Sequence, residues 1–230
     1  MKKLTHLPMA IAIGVFLFSC GGGSSSSEGS TEAVSETEET TPKYSQKTAV
    51  GVFHDVEDVA NWTAGYEALS DPEARINVLT NSENPMRLAV FLWTENHRSA
   101  KEYFESDQFR SDADSIGVVG EIGVVYYDVK ELSDQPALPY VITVGHEVSE
   151  FDAWKIAYDA DADSRKNAGL KFEALATGAD NPNMVYLMFS TSDLEASMAM
   201  MGSEELRLKM AEAGVLGAPQ VSTWLIPTTE

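Results

Sequence analysis

The chain carries one sequence pattern twice, and this internal duplication limits its fold more than any other feature. The stretch that begins at His54 reads HDVEDVANWTAGY, and the stretch that begins at His146 reads HEVSEFDAWKIAY. The matches continue in the same order to GVVG at Gly117 and its counterpart GVLG at Gly214. Such persistence indicates two copies of one structural unit. The two copies are assigned to residues 49–130 and 139–227.

Each copy predicts the same order of strands and helices. The segments TAVGVFH and YVITVGH are short, apolar and rich in β-branched residues, which is typical of strands. Val59, Trp62 and Tyr66 then recur at helical spacing, which predicts a helix with one apolar face. Two strands, a helical stretch near residues 96–114 or 192–213, and a last strand complete each copy. The order βαββαβ is that of the ferredoxin-like unit, so we predict an α+β fold of two tandem ferredoxin-like repeats.

A ferredoxin-like unit leaves one face of its sheet uncovered when its helices pack on the other face, so the open face needs a partner. The order of elements over residues 49–227 resembles the dimeric α/β-barrel superfamily, in which two such units place their sheets face to face. The resemblance implies a pseudo-two-fold barrel whose halves both come from one chain. Members of that superfamily include cofactor-free monooxygenases, polyketide cyclases and haem-binding enzymes, so the resemblance implies no single activity.

The second copy resembles small bacterial members of the same superfamily that have no settled activity. The resemblance covers three stretches, which are DAWKIAYDADADSRKNAGL from Asp152, DNPNMVYL from Asp180 and SEELRLKMAEAGVLGAP from Ser203. Those relatives often carry a histidine at the position of Asp161, so this chain departs from them there. The resemblance therefore marks the superfamily and implies no metal or base role at that position.

Residues 1–20 predict an export signal. Lys2 and Lys3 precede an apolar run from Met9 to Phe18, which is shorter than the roughly 20 residues of a membrane-spanning helix. The sequence LFSC that ends at Cys20 resembles the lipobox of bacterial lipoproteins, in which this cysteine is lipidated. An ordinary signal peptide with an incidental cysteine is the alternative. Acyl chains on Cys20 would hold the protein to a membrane.

Residues 21–48 form a segment rich in Gly, Ser, Thr and Glu, which has too little apolar surface to fold. We predict a flexible tether between the anchor and the folded part. Gly21 after the cysteine resembles a sorting signal for the outer membrane, so we expect a lipid-anchored protein of the bacterial cell envelope.

The net charge excludes one class of partner. The formal charge of the chain is −20, and the loss of two lysines with the signal would bring it to −22. A surface of this sign repels polyanions, so we predict no nucleic-acid partner and no direct binding to anionic lipid. The charge otherwise serves solubility.

The residues repeated in the two copies, with a cluster of charged residues after the second, are the candidates for a ligand site. A histidine at a strand end could serve as a base or a ligand, or could simply hydrogen-bond locally. Each Trp–Tyr pair lies one helical turn apart and could form an aromatic wall of a pocket, or could fill the core. Arg165 could hold an anionic group, or lie exposed at a helix end. The candidates are His54, Trp62, Tyr66, His146, Trp154, Tyr158, Asp159, Asp161 and Arg165.

The sequence carries no motif for a cofactor or a metal. Asp159, Asp161 and Asp163 alternate like the start of a calcium loop, but the glycine and the terminal glutamate of that loop are missing. At helical spacing these acids would form a solvated face. Walker loops, dinucleotide fingerprints, nucleophile elbows and Cys/His clusters are also missing. We therefore predict no cofactor and no metal site.

Three functions remain open on this sequence. The first is binding of a small molecule in the barrel interior, with the second copy supplying most of the pocket. The second is a cofactor-free monooxygenase or cyclase in which His146, Asp159, Asp161 or Arg165 positions or deprotonates a substrate. The third is a non-catalytic interaction or structural lipoprotein whose barrel is filled by side chains. Strand alternation leaves open which face of each first strand is inside the barrel.

Overall fold

The computed structural model describes Tyr44 and residues 46–227, so the predicted signal peptide with Cys20 and most of the predicted tether lie outside the described residues. The elements of the first copy are β1 (Thr48–Val56), α1 (Val59–Leu69), β2 (Arg75–Asn81), β3 (Arg87–Trp93), α2 (His97–Phe104), α3 (Asp107–Ser115) and β4 (Val118–Leu132). The elements of the second copy are β5 (Tyr140–Val148), α4 (Phe151–Ala160), α5 (Ala162–Asn167), β6 (Lys171–Gly178), β7 (Met184–Thr191), α6 (Leu194–Met201), α7 (Glu204–Glu212) and β8 (Val215–Leu225). None of these helices combines the length and the apolar character needed to cross a membrane.

The eight strands close into one antiparallel barrel in the order β1-β3-β2-β8-β5-β7-β6-β4. Two seams join the copies. In one seam β4 pairs with β6, where Tyr127 lies opposite Gly178, and in the other β2 pairs with β8, where Thr80 lies opposite Leu225. The prediction of two ferredoxin-like repeats that form an intramolecular α/β barrel is therefore confirmed.

The helical stretch predicted for the second half of each copy is confirmed, and the structure divides it into two helices. In the first copy the break falls at Ser106, whose hydroxyl accepts a hydrogen bond from the Phe109 amide at 3.1 Å and starts α3. Ser203 accepts from the Leu206 amide at 3.2 Å and starts α7 in the same way. Serine favours a helix start over a helix interior, because its hydroxyl satisfies an amide that has no partner within the helix.

Apolar side chains pack on both faces of the sheet. Inside the barrel, Ala49 and Trp224 belong to a core that both copies share. On the outer face, Val50 packs with Trp62 of α1, and Ile142 belongs to the equivalent cluster of the second copy. Successive residues of a strand point to opposite faces, so one side of each first strand faces the interior and the other faces the helices.

Candidate functional site

In the second copy, three of the candidate residues form a ladder between the sheet and α4. His146 lies near the end of β5, and Trp154 and Tyr158 follow one turn apart on α4. The ring centroids of His146 and Trp154 are 5.5 Å apart, and the Trp154 and Tyr158 rings stack at 4.9 Å. Trp154 is only 3% exposed, so this ladder belongs to the core and at the same time forms one wall of a pocket.

The first copy repeats this ladder with nearly the same geometry. The ring centroids of His54 and Trp62 are 5.4 Å apart, and Trp62 and Tyr66 stack at 4.9 Å. The grouping of each histidine with its Trp–Tyr pair follows from the repeat, because β1 and α1 occupy the places of β5 and α4.

Each of the two histidines lies opposite an irregularity in the neighbouring strand. The pairing of β1 with β4 shifts register between Phe53 and Asp55, on either side of His54. The pairing of β5 with β8 shifts in the same way around His146. In both places the extra residues belong to the partner strand, β4 or β8, so the strand that carries the histidine is continuous there.

The alternation of residues left open which face of each first strand lies inside the barrel, and the structure places both histidines on the outer face. His54 shares its side of β1 with Val50 and Val52, which pack against the helices, and Ala49 and Phe53 occupy the interior side. His146 points to the helices of its own copy in the same way. The pocket that holds the candidate residues of the second copy therefore lies outside the barrel, between the sheet and its helices.

The two imidazoles are buried and uncharged. Desolvation by burial lowers the pKa of His146 from 6.5 to about 4. Desolvation also lowers the pKa of His54 to about 4; nearby Asp55 raises it and Arg87 lowers it further. Within the described part of the chain, neither ring nitrogen of either histidine has a hydrogen-bond partner. Each neutral ring therefore offers one donor and one acceptor that the protein leaves unused.

The second-copy pocket, as we call this cavity, has a volume of about 400 Å³ and a mainly apolar lining. His146, Trp154 and Tyr158 line one side, and α6 and α7 contribute flexible thioethers on another. Pockets of this size and character accommodate small organic molecules. The large apolar side chains of the lining are those of Val144, Trp154, Leu170, Leu187, Phe189, Met200, Met201, Leu206, Met210 and Val221.

Arg165 borders the second-copy pocket and lies against Tyr158. Its guanidinium carbon is 3.7 Å from the centroid of the Tyr158 ring, and Nη1 donates a hydrogen bond to the Tyr158 carbonyl oxygen at 2.6 Å. No carboxylate among the described residues lies within ion-pair distance of this guanidinium. Arg165 is therefore a cation at the pocket wall that forms no ion pair with a described residue, and its charge helps to lower the pKa of Asp161.

The two acidic candidates differ in position. Asp161 lines the pocket and accepts a hydrogen bond from Lys209 Nζ at 2.8 Å. Partial burial opposes its ionisation, but the hydrogen bond and charge of Lys209 outweigh this effect and lower the pKa of Asp161. Asp159 instead faces solvent and accepts from Lys155 at 2.6 Å. The structure thus brings Asp161 to the pocket and leaves Asp159 outside it.

Sequence reasoning missed Lys209, which lines the pocket and pairs with Asp161. Lys209 belongs to the stretch from Ser203 through which the second copy resembles the small bacterial members of the superfamily. Nothing local in that stretch places Lys209 next to Asp161, between α4 and α5, because the contact depends on how α7 packs against the preceding helices.

The first-copy pocket is smaller and has a different charge. Its volume is about 280 Å³, and it is lined by the ladder of His54 and by aromatic residues from α2 and α3. Asp71 and Asp112 also line it, and no Lys or Arg among the described residues does. The two copies therefore share the aromatic ladder, but only the second-copy pocket is lined by a cation. The aromatic lining from α2 and α3 comprises Tyr103, Phe104 and Phe109.

The described residues contain no group of three or more His, Cys, Asp or Glu side chains that could hold a metal ion. The absence of a metal site in the whole chain stays a prediction.

The closed barrel of two ferredoxin-like repeats has the fold of the dimeric α/β-barrel superfamily, made by tandem repeats within one chain. No protein-family model matches the sequence, and no curated protein matches it.

Solved structures match the fold over most of its length. A proposed monooxygenase from Lactobacillus acidophilus NCFM matches with a TM-score of 0.51 and 13% identity, over 78% of this chain and 93% of that chain. An anthrone oxidase-like protein matches with a TM-score of 0.50 and 12% identity, over 79% of this chain and 92% of that chain. A proposed chlorite dismutase matches with a TM-score of 0.55 and 13% identity, over 79% of this chain and 95% of that chain. At these identities the likeness shows the fold alone.

Proposed function

We propose that the second-copy pocket binds a small, mainly apolar molecule. The observation that carries this proposal is His146, which is 5% exposed, lines a cavity of about 400 Å³ and has no hydrogen-bond partner on either ring nitrogen. An unpaired buried polar group costs roughly 1–3 kcal/mol. A ligand with a matching polar group at His146 would remove that cost and gain affinity.

The lining indicates the chemistry of the ligand. Apolar side chains surround most of the cavity, and the methionines of α6 and α7 adapt to irregular shapes. Arg165 supplies a positive charge without an ion pair at one side. These features favour a ring-containing or aliphatic molecule with one polar group near His146 and one anionic group near Arg165.

Native mass spectrometry of the soluble chain that begins after Cys20, purified from its own host, tests this proposal. We expect one extra mass per chain, which His146→Ala abolishes. His54→Ala is the matched control, because His54 is equally buried in the other copy. A bare chain mass for the unaltered protein, or an extra mass that His146→Ala retains, contradicts the proposal. A large loss of melting temperature in His146→Ala would mark this histidine as structural.

A cofactor-free monooxygenase or cyclase is the second candidate function, and the neutral His146 in the cavity is the observation that favours it. The fold is shared with a proposed monooxygenase and an anthrone oxidase-like protein, but a fold does not determine a reaction. An imidazole whose pKa is about 4 is a weak base at neutral pH, so it suits hydrogen bonding to a ligand better than proton abstraction. Oxygen consumption with anthrone as the probe, lost in His146→Ala, would favour catalysis over binding alone.

We also propose that the protein acts in the bacterial cell envelope. Acyl chains on Cys20 would anchor it there, in the outer membrane. The lipobox-like sequence supports this location. Radiolabelled palmitate should label the intact chain and fail to label Cys20→Ser. Labelling that persists in Cys20→Ser contradicts the anchor. If neither a bound ligand nor turnover is found, the remaining candidate function is that of an interaction or structural lipoprotein.

A further inference from the structure

The barrel encloses a third cavity that is separate from both ladders. Its volume is about 700 Å³, and all eight strands contribute to its lining. An eight-stranded barrel has an interior that side chains can fill or that can hold one small ligand. A cavity of this size indicates that side chains leave room for a ligand here.

Small residues on the inward side of the strands create this space. Ala49 on β1 and Ala176 on β6 line the interior. Gly51 lies between Ala49 and Phe53 on the same side of β1, and a Cβ added at Gly51 would lie 2.8 Å from a ring carbon of Tyr127. The glycine thus lets the Tyr127 ring lie flat against β1, so the ring occupies the wall and leaves the centre open.

Aromatic rings form much of the wall. The centroid of Phe53 lies 5.8 Å from that of Phe91 and 6.1 Å from that of Trp224. Tyr127 of β4 and Tyr186 of β7 meet edge to face at 4.9 Å, with only β6 between their strands. The indole nitrogen of Trp224 is already satisfied, because it donates to Thr143 Oγ1 at 2.9 Å. Such a wall favours flat ring systems, which gain from edge and stacking contacts.

Two phenol groups remain available to a ligand. Tyr127 is 7% exposed, and burial raises its pKa and that of Tyr186. Both phenols therefore stay protonated at neutral pH and can donate a hydrogen bond. Within the described residues neither hydroxyl donates to or accepts from a protein group.

The charged groups that line the cavity are already paired. Arg87 lies 3.4 Å from Asp55, and Glu173 lies 2.8 Å from Lys171. The Ser190 hydroxyl also donates to Glu173. Because no charge is left to meet a charged ligand, the interior favours an uncharged one.

We propose that the barrel interior is a second binding site, for a flat, uncharged aromatic molecule with a carbonyl oxygen that accepts hydrogen bonds from Tyr127 and Tyr186. This site goes beyond the proposed function of the second-copy pocket. The two sites differ in the chemistry that they select, because the pocket at Arg165 meets an anionic group and the interior meets a neutral carbonyl.

A ligand would reach this site from the end of the barrel at which β1 begins. Gln46, which precedes β1, and Gln135, in the segment between the copies, both line the cavity at this end. Ile226, just after β8, lines it there as well. These residues belong to connecting segments rather than to strands, so they can move to admit a ligand without breaking the barrel.

Binding of 9-fluorenone to the soluble chain, with fluorene as the matched probe that lacks the carbonyl, tests the inference by isothermal titration calorimetry. We expect fluorenone to bind and Ala176→Phe, which fills the interior, to weaken binding at least tenfold. Ala157→Phe is the control, because Ala157 lines only the second-copy pocket of the three cavities described above. Circular dichroism at the same temperature shows whether each variant is folded.

A second pair of variants leaves the volume nearly unchanged. Tyr127→Phe combined with Tyr186→Phe should weaken fluorenone binding about tenfold and leave fluorene binding unchanged, since only the hydroxyls are lost. No binding of fluorenone up to its solubility limit overturns the inference. Equal losses for both probes, or a loss in Ala157→Phe but not in Ala176→Phe, also overturn it. The last result would place the ligand in the second-copy pocket and leave the proposed function standing.

Discussion

The imidazole of His146 and the indole of Trp154 meet at 62° with their centroids 5.5 Å apart, and the imidazole makes no hydrogen bond to the described protein. His54 and Trp62 repeat this contact in the other copy at 5.4 Å. Two copies that differ in most of their side chains thus keep the same buried and unpaired imidazole. Such a group weakens the folded state unless a ligand uses it, which connects the stability of the protein to its function.

The buried histidines predict a fall in stability in mild acid. Their pKa is about 4 in the folded protein, against 6.5 as the ordinary value, because burial opposes the charged form. Between these two values the unfolded chain binds more protons than the folded one, so the free energy of unfolding falls as the pH falls through 6.5 toward 4. We expect a loss of about 2 kcal/mol per histidine between pH 7.5 and pH 5. Urea unfolding at the two pH values measures this loss.

The double variant His54→Phe with His146→Phe isolates that contribution. It should lose about 4 kcal/mol less than the unaltered protein over the same pH range. His97→Phe is the control, because His97 contacts Asp128 at 2.8 Å and is more exposed than the two ladder histidines. An unchanged pH dependence in the double variant would show that other groups cause the acid sensitivity.

The duplication and the order of strands could be predicted, but the direction of the histidines could not. A strand with one solvated face shows a regular alternation of apolar and polar residues. β1 has Val50 and Val52 toward the helices and Ala49 and Phe53 toward the interior, so both of its faces are apolar. The sequence therefore contains no contrast from which to decide which side faces the interior of the barrel.

The position of Arg165 also depends on information that the local sequence lacks. Its spacing of seven residues from Tyr158 would suit two turns of a continuous helix, but the chain changes from α4 to α5 at Asp161. That change of direction brings the guanidinium back over the Tyr158 ring. The presence of a cation in the second copy could be predicted, but its place at the pocket wall could not.

Arg165 predicts that the second-copy pocket prefers anionic ligands. With 2-naphthoate as the probe, Arg165→Gln should weaken binding about tenfold, since a hydrogen bond to a charged group is lost. Arg75→Gln is the matched control, because Arg75 lies over the equivalent Tyr66 ring at 5.3 Å in the other copy. Calorimetric titration compares the three proteins. Equal affinities would show that the charge of Arg165 does not contact the carboxylate.

The helix breaks predict a role for two serines. Ser106→Ala and Ser203→Ala should each lower the free energy of unfolding by about 1 kcal/mol, because each removes the side chain that starts a helix. Ser115→Ala is the control, since Ser115 lies at the end of α3 and donates only to the Asp112 carbonyl. Thermal unfolding of the three variants gives the comparison. Losses no larger than that of the control would mean that the caps do not set the helix starts.

The contact between Gly51 and Tyr127 predicts that even one methyl group is costly at that point of the barrel. A Cβ at Gly51 would approach the ring at 2.8 Å and the phenol oxygen at 3.0 Å, so Gly51→Ala must displace Tyr127 into the cavity. We expect a loss of about 1–3 kcal/mol in the free energy of unfolding, as for other overpacked cores. Gly123→Ala is the matched control, because its Cβ would meet Phe53 only at 3.7 Å, an ordinary contact distance. Adding Tyr127→Ala to Gly51→Ala should cost less than the sum of the two single changes, since the clash is then relieved; an additive cost in urea unfolding would mean that the ring does not lie against β1.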